Sequence, residues 1–271
     1  MKRTSLFCRW NWCSVLCLLC LVRFPLSAVS QEKESVPIDM TKRTQELKDL
    51  RWGMFLCWSF STFSGREWTS AAKENDLAKL FPAKEADTDQ WAKTAKEAEM
   101  GYILFLTKHH DGFCLWDTKT TDRKITNAPL GKDVLAELKK SCDKYGIKLA
   151  LYFSEGDWTW KEAVDGQVYK GGNQPETKKS QLKELLTQYG PIEYIWFDHA
   201  AGTGGLSHEE TTAWCKQFQP GCFIGYNHGD QSTADIRLGE MGKPGALEDT
   251  SAAGPHMDKT GGNNWKLAEF T

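Results

Sequence analysis

The chain has 271 residues, 40% of them hydrophobic and 26% charged, a composition that excludes a disordered or collagen-like protein. Lys plus Arg number 34 against 36 Asp plus Glu, so the formal net charge is -2. That balance excludes a nucleic-acid-coating protein and a polybasic membrane binder. Twelve tryptophans stand out, residues that either fill a core or stack on sugar rings.

Residues 1–30 read as a secretory signal peptide, cleaved to leave a chain with no membrane attachment. Lys2, Arg3 and Arg9 make a positive start, Val15 to Val22 is a short apolar stretch closed by Arg23, and Ala28-Val29-Ser30 supplies small residues before Gln31. The alternative is an uncleaved anchor, but the run is short for a bilayer span. Four of the nine cysteines lie in this segment, leaving Cys57, Cys114, Cys142, Cys215 and Cys222. An odd number without a CxxC pair predicts a fold that does not depend on disulfides or zinc.

The remainder, 31–271, alternates strands and helices. A strand at Trp52 to Trp58 opens the series. Asp87 to Met100 has Trp91, Ala95 and Ala98 at helical spacing and stops at Gly101, before the apolar strand Tyr102 to Leu106. Asp133 to Tyr145 is the next helix, stopped by Gly146, and Ile147 to Phe153 the next strand. Glu176 to Tyr189 is broken by Gly190-Pro191 before the strand Tyr194 to Phe197. Ser207 and Glu210 form a Ser-x-x-Glu capping box for a helix reaching Phe218, followed by the strand Cys222 to Tyr226 and a segment around Ile236 that could be a sixth strand. Such alternation predicts right-handed crossovers and a parallel sheet. Two closures are compatible, a doubly wound sheet and a (β/α)8 (TIM) barrel. No GxGxxG or Walker-type loop follows the first strand, which favours the barrel.

Polar residues follow each strand: Trp58-Ser59, Lys108-His109-His110-Asp111, Ser154-Glu155-Gly156-Asp157, Asp198-His199 and Asn227-His228-Gly229-Asp230. At the carboxyl ends of parallel strands they converge on one mouth. Four histidines there invite a metal, but adjacent strand residues point to opposite faces, and no HExxH or GxSxG is present. No metal and no cofactor are expected. Carboxylates fit better. Ile195-Trp196-Phe197 leads into Asp198, and a glycosidase needs two carboxyl groups flanking the bond it cuts. Glu155 and Asp157 are further candidates on the neighbouring loop.

Arg51-Trp52-Gly53-Met54-Phe55, the run Lys108-His109-His110-Asp111-Gly112-Phe113-Cys114-Leu115-Trp116, Ile147 to Ser154 and Trp196-Phe197-Asp198 together resemble the α-L-fucosidases of glycoside hydrolase family 29. The similarity runs from about Leu50 to the end, and the KHHDGF…LW run is its most specific part. The resemblance implies a (β/α)8-like barrel and retaining hydrolysis of terminal α-L-fucose from a fucosylated glycan, without a metal. Asp198 aligns with the nucleophile, and His109 and His110 with residues that hydrogen-bond the sugar. Trp68 matches a pocket tryptophan, and Trp58 and Trp116 join it as substrate-binding candidates. Glu240 is the preferred acid/base and Glu269 the alternative. Cys57-Trp58-Ser59 stands where the family has His-Trp-Gly, so Cys57 replaces a sugar-binding histidine with a weaker hydrogen-bonding group. Five or six strands before Thr271, where a barrel of about 250 residues holds eight, suggest a C-terminally truncated barrel without the β-sandwich that usually follows. An inactive fucose-binding protein is therefore the rival expectation. The oligomeric state is not legible.

Overall fold

Apolar runs too short for helices become parallel strands, and the amphipathic runs between them become the crossovers. A computed structural model describes residues 38–65, 77–157, 163–164, 167–168, 175–198, 203–227, 232–239 and 266–268, all within one unit, Ile38–Thr271. In chain order the elements are α1 (Met40–Asp49), β1 (Gly53–Leu56), α2 (Phe60–Ser64), α3 (Leu77–Leu80), α4 (Thr88–Glu97), β2 (Tyr102–Lys108), α5 (Val134–Tyr145) and β3 (Lys148–Ser154). A short antiparallel ribbon, β4 (Ala163–Val164) with β5 (Gln167–Val168), precedes α6 (Pro175–Gln188), β6 (Tyr194–Asp198), α7 (His208–Phe218) and β7 (Phe223–Tyr226). β8 (Arg237–Gly239) pairs in parallel with β9 (Lys266–Ala268).

The main sheet has five strands in the order β1-β2-β3-β6-β7, every pair parallel. The expected α/β class is therefore what the chain adopts. β2 is buried along its whole length and β3 at all but its first residue. Strands covered on both faces have no solvated side to mark with polar residues, so they read as unbroken apolar runs.

Side chains two apart share a face. On one face Phe55 packs against Tyr152 and Trp196, with ring centroids 5.7 and 6.2 Å apart. On the other, Phe153, Phe197 and Tyr226 form a row, with neighbouring centroids 5.9 and 5.2 Å apart. α6 and α7 cover that second face: Lys178 reaches over the Phe197 ring, and the Tyr226 hydroxyl donates to the His208 carbonyl. Leu182, Leu185 and Leu186 of α6 and Cys215 of α7 are buried.

Helix ends follow the local chemistry. The Asp87 and Asp133 carboxylates accept from the backbone of Gln90 and Ala136, capping α4 and α5. Gly146 ends α5 in the left-handed region at φ +69°. The Ser207–Glu210 box forms as anticipated: the Glu210 amide donates to Ser207 Oγ at 3.1 Å and the Ser207 amide to Glu210 Oε2 at 2.8 Å. The Ile236 segment becomes β8, and Leu238 fills the space over Gly225, where a Cβ would stand 2.7 Å from Leu238 Cγ. Cys57, Cys114, Cys142, Cys215 and Cys222 form no disulfides among the described residues.

α1 has no counterpart among the elements expected from the sequence. Only Leu47 of its ten residues is buried, so its sequence lacks an apolar stripe. Arg43 ties it to the chain before β6, its guanidinium donating to Glu193 at 2.8 Å and, within the helix, to Glu46 at 2.6 Å.

Replacing Ser207 by Ala removes one arm of the α7 capping box. Urea unfolding should show a lower midpoint at unchanged slope, a loss of about 1 kcal/mol.

Candidate active site

Because the five strands are parallel, the residues at their carboxyl ends share one rim. Ser154 lies opposite Asp198 in the β3–β6 register. Asp198 is largely buried, and the Tyr152 hydroxyl donates to its Oδ2 at 2.5 Å while Asn227 Nδ2 donates to Oδ1 at 3.2 Å. An ionised carboxyl is purely an acceptor, so donors facing both oxygens match its charged form. His110 Nε2 stands 3.6 Å from Asp198 Oδ2.

The other His110 nitrogen, Nδ1, is 2.8 Å from Ser154 Oγ, and that hydroxyl gives its own proton to the Gly156 carbonyl at 2.9 Å. A hydroxyl has one proton, so Nδ1–H must be the donor to Ser154. Nε2 is thereby turned toward Asp198 and the rim. His109 stacks on His110 with centroids 4.1 Å apart and planes at 28°. Strand alternation would put these adjacent histidines on opposite faces, and the structure corrects that expectation. β2 ends at Lys108 after a register shift between Leu106 and Lys108, and beyond the strand the period of two no longer applies. Burial, then the neighbouring His110, push the His109 imidazole down to about 3, against the weaker pull of Asp198. His109 is therefore neutral near pH 7.

The rest of the KHHDGFCLW run supports this rim from behind. Lys108 is fully buried, with its ammonium over the Phe153 ring at 4.3 Å and donating to Gln181 at 3.3 Å. Asp111 caps its own turn through the Phe113 amide, and burial raises its carboxyl to about 7. Gly112 has φ +72°, and a Cβ there would stand 2.3 Å from Asp157 Oδ1, so this position requires glycine twice over. Phe113 packs on Phe60 and Phe81.

Several residues that the sequence puts forward as candidates take other roles, and the first of these is a correction. Trp116 is fully buried, and its indole N–H donates to Glu184 on α6 at 2.9 Å. It has no face for a sugar and serves the packing of α6. Glu155 is fully buried as well, its carboxylate turned to Lys178 and His208 rather than to the rim. Asp157 is buried against Gly112. Trp58 is half-buried in an aromatic cluster with Phe63, Phe81 and Trp91. Cys57 is exposed, one residue past the end of β1. Trp68, Glu240, Glu269, His199 and His228 lie outside the described residues. Tyr152 is a site residue that motif and composition do not pick out. Its signal is its place two residues before Ser154, on the face that also carries Asp198 through the register.

The family model for α-L-fucosidase matches residues 24–269. α-L-Fucosidase 1 of Arabidopsis thaliana is 35% identical over 154 residues, 56% of this chain and 29% of that protein. Plasma α-L-fucosidase of Homo sapiens is 29% identical over 139 residues, 49% of this chain and 29% of that protein. The aligned stretch thus spans under a third of either relative. Among solved structures, a glycoside hydrolase 29 family member from an unknown rumen bacterium superposes with a TM-score of 0.59 at 30% identity, covering 75% of this chain and 38% of that one. An α-L-fucosidase of the same family from Bacteroides thetaiotaomicron, described as a trapped covalent intermediate in complex with 2-fluoro-fucosyl fluoride, superposes at 0.61 with 26% identity, covering 79% of this chain and 60% of that one.

Since the folded His109 titrates at about 3 against an ordinary 6.5, the folded state binds fewer protons than the unfolded one between these values. The stability carried by neutral His109 is present above pH 6.5 and lost as the pH falls toward 3. Melting temperature should drop more steeply over this window in the unaltered chain than in a His109→Gln variant.

Proposed function

Since this chain belongs to the α-L-fucosidase family, glycoside hydrolase family 29, we propose that it is a secreted, retaining exo-glycosidase that removes terminal α-L-fucose from glycans. The observation that carries this reading is the Asp198 carboxylate, held by Tyr152 and Asn227 at the carboxyl end of β6 with His110 Nε2 3.6 Å away. Asp198 attacks the anomeric carbon, and the glycosidic C–O bond breaks as the leaving oxygen takes a proton from Glu240, with Glu269 the alternative donor. The same residue then removes a proton from water. That water displaces the Asp198 ester, releases fucose and returns the carboxylate to its starting state.

Neutral His109 both accepts from and donates to sugar hydroxyls, and His110 presents Nε2 to the same ring. Trp68 and Trp58 supply apolar walls, and Cys57 contributes a thiol where the family carries a histidine. The five-stranded sheet is read as an arc of a (β/α)8-like barrel within residues 31–271. Its support is the strand order. β1-β2-β3-β6-β7 runs in chain sequence without the reversal that defines a doubly wound sheet. Residues 1–30, with their basic start and short apolar run, are read as the export signal.

Asp198→Asn should lower turnover of an aryl α-L-fucoside by at least about 10³-fold with an unchanged circular dichroism spectrum. Undiminished activity overturns the assignment. Azide should rescue Glu240→Ala if Glu240 is the acid/base, and rescue of Glu269→Ala instead moves the role there. Fucose binding by the unaltered chain without turnover would favour a non-catalytic sugar-binding protein.

A further inference from the structure

Behind the rim lies a fully buried ion cluster that the reaction as written does not use. Lys178 of α6 and Glu155, just past β3, both have side chains with no exposure, and Lys178 Nζ donates to Glu155 Oε1 at 2.5 Å. The same ammonium donates to the Thr203 carbonyl at 2.9 Å and to Thr211 Oγ1 at 2.8 Å, which uses all three of its protons. The other carboxylate oxygen, Oε2, meets His208 Nε2 of α7 at 3.1 Å. His208 is itself clamped, its ring lying on Tyr226 at 3.7 Å and 6°. Burial alone would raise the Glu155 carboxyl, but Lys178 and His208 overcome this and hold it below its ordinary range.

Burying an ion pair is costly, and an apolar pair of the same volume often serves stability as well or better. What this pair touches is therefore informative. The Glu155 amide donates to the Asp198 carbonyl at 2.7 Å, one step beyond the Ser154–Asp198 pairing that ends the β3–β6 ladder. We propose that Glu155, clamped by Lys178 and His208, is a positioning residue that fixes the Asp198 main chain and so keeps its carboxylate against Tyr152 and Asn227. The cluster joins one loop and two helices, so the packing of α6 and α7 is transmitted to the nucleophile through a single peptide. All three side chains are buried, Lys178 and Glu155 completely. This role for Glu155 rests on Asp198 being the nucleophile.

The test is the double variant Glu155→Gln with Lys178→Met in the full chain, with Asp198 followed by carbon-13 carboxyl titration. The double change removes one negative and one positive charge together, so the net charge behind Asp198 stays the same. Asp198 should nevertheless titrate at least about half a pH unit higher than in the unaltered chain, because its Tyr152 and Asn227 donors are withdrawn. With an aryl α-L-fucoside, kcat should fall at least about tenfold and KM stay within about twofold, the mark of a misplaced reacting group. An Asp198 titration that does not rise overturns the proposal. If the double variant fails to fold, His208→Gln is read in the same way, with a smaller upward shift expected and an unmoved titration again fatal. Absence of turnover in the unaltered chain would count against the fucosidase reading, while the titration still decides the positioning role.

Discussion

One alignment governs the rest of this structure: Ser154 of β3 lies opposite Asp198 of β6. A strand slipped by a single residue turns every side chain to the other face. Asp198 would then point toward α6 and α7, and Phe197 into the rim. The register is held where slippage is most costly, by two rows of aromatic side chains on opposite faces. Phe55, Tyr152 and Trp196 fill one side, and Phe153, Phe197 and Tyr226 the other. A one-position slip of β6 would bring either Asp198 or Trp196 into the place of Phe197, putting a carboxylate or the wrong ring against α6 and α7.

The same alignment separates two kinds of polar environment. On the rim side the Tyr152 hydroxyl and the Asn227 amide donate to Asp198, His110 Nε2 stands 3.6 Å away, and the His109 ring stacked on His110 is kept uncharged mainly by burial. On the helix side the ionisable groups are buried together, the Lys178–Glu155 ion pair with His208, and Lys108 over the Phe153 ring. Charges in a low-dielectric interior act strongly and hold their partners in place. The two layers meet at the peptide that joins the Glu155 amide to the Asp198 carbonyl.

The KHHDGFCLW run shows how one contiguous motif is divided by folding. Lys108 faces the helices and His109 and His110 face the rim. Asp111 and Gly112 shape the turn, with Asp157 packed against the glycine. Phe113 and Trp116 enter two different parts of the core. Such a run is recognisable as a whole because each position answers to a separate constraint. That is also why a tryptophan inside it, Trp116, reads in the sequence as a sugar-stacking residue although it is a core one.

Element type is legible in the chain because it is set locally. Glycine stops, aspartate and serine caps and apolar periodicity act within a few residues, and they locate α4, α5, α6 and α7 and the five strands of the sheet. The carboxyl-end clustering of polar residues follows from the parallel topology those elements imply, and Asp198, His109 and His110 with it. Tertiary structure decided what depends on partners far away in sequence. The aim of Glu155 depends on Lys178, 23 residues on, and on His208, 53 residues on. The tie between α1 and the chain before β6 depends on Arg43 reaching Glu193, 150 residues away. The stacking of His109 on His110 depends on where β2 ends against β3. Periodicity carries no information about such pairings, because a side chain's direction is set by its own backbone but its partner by how the whole sheet is assembled.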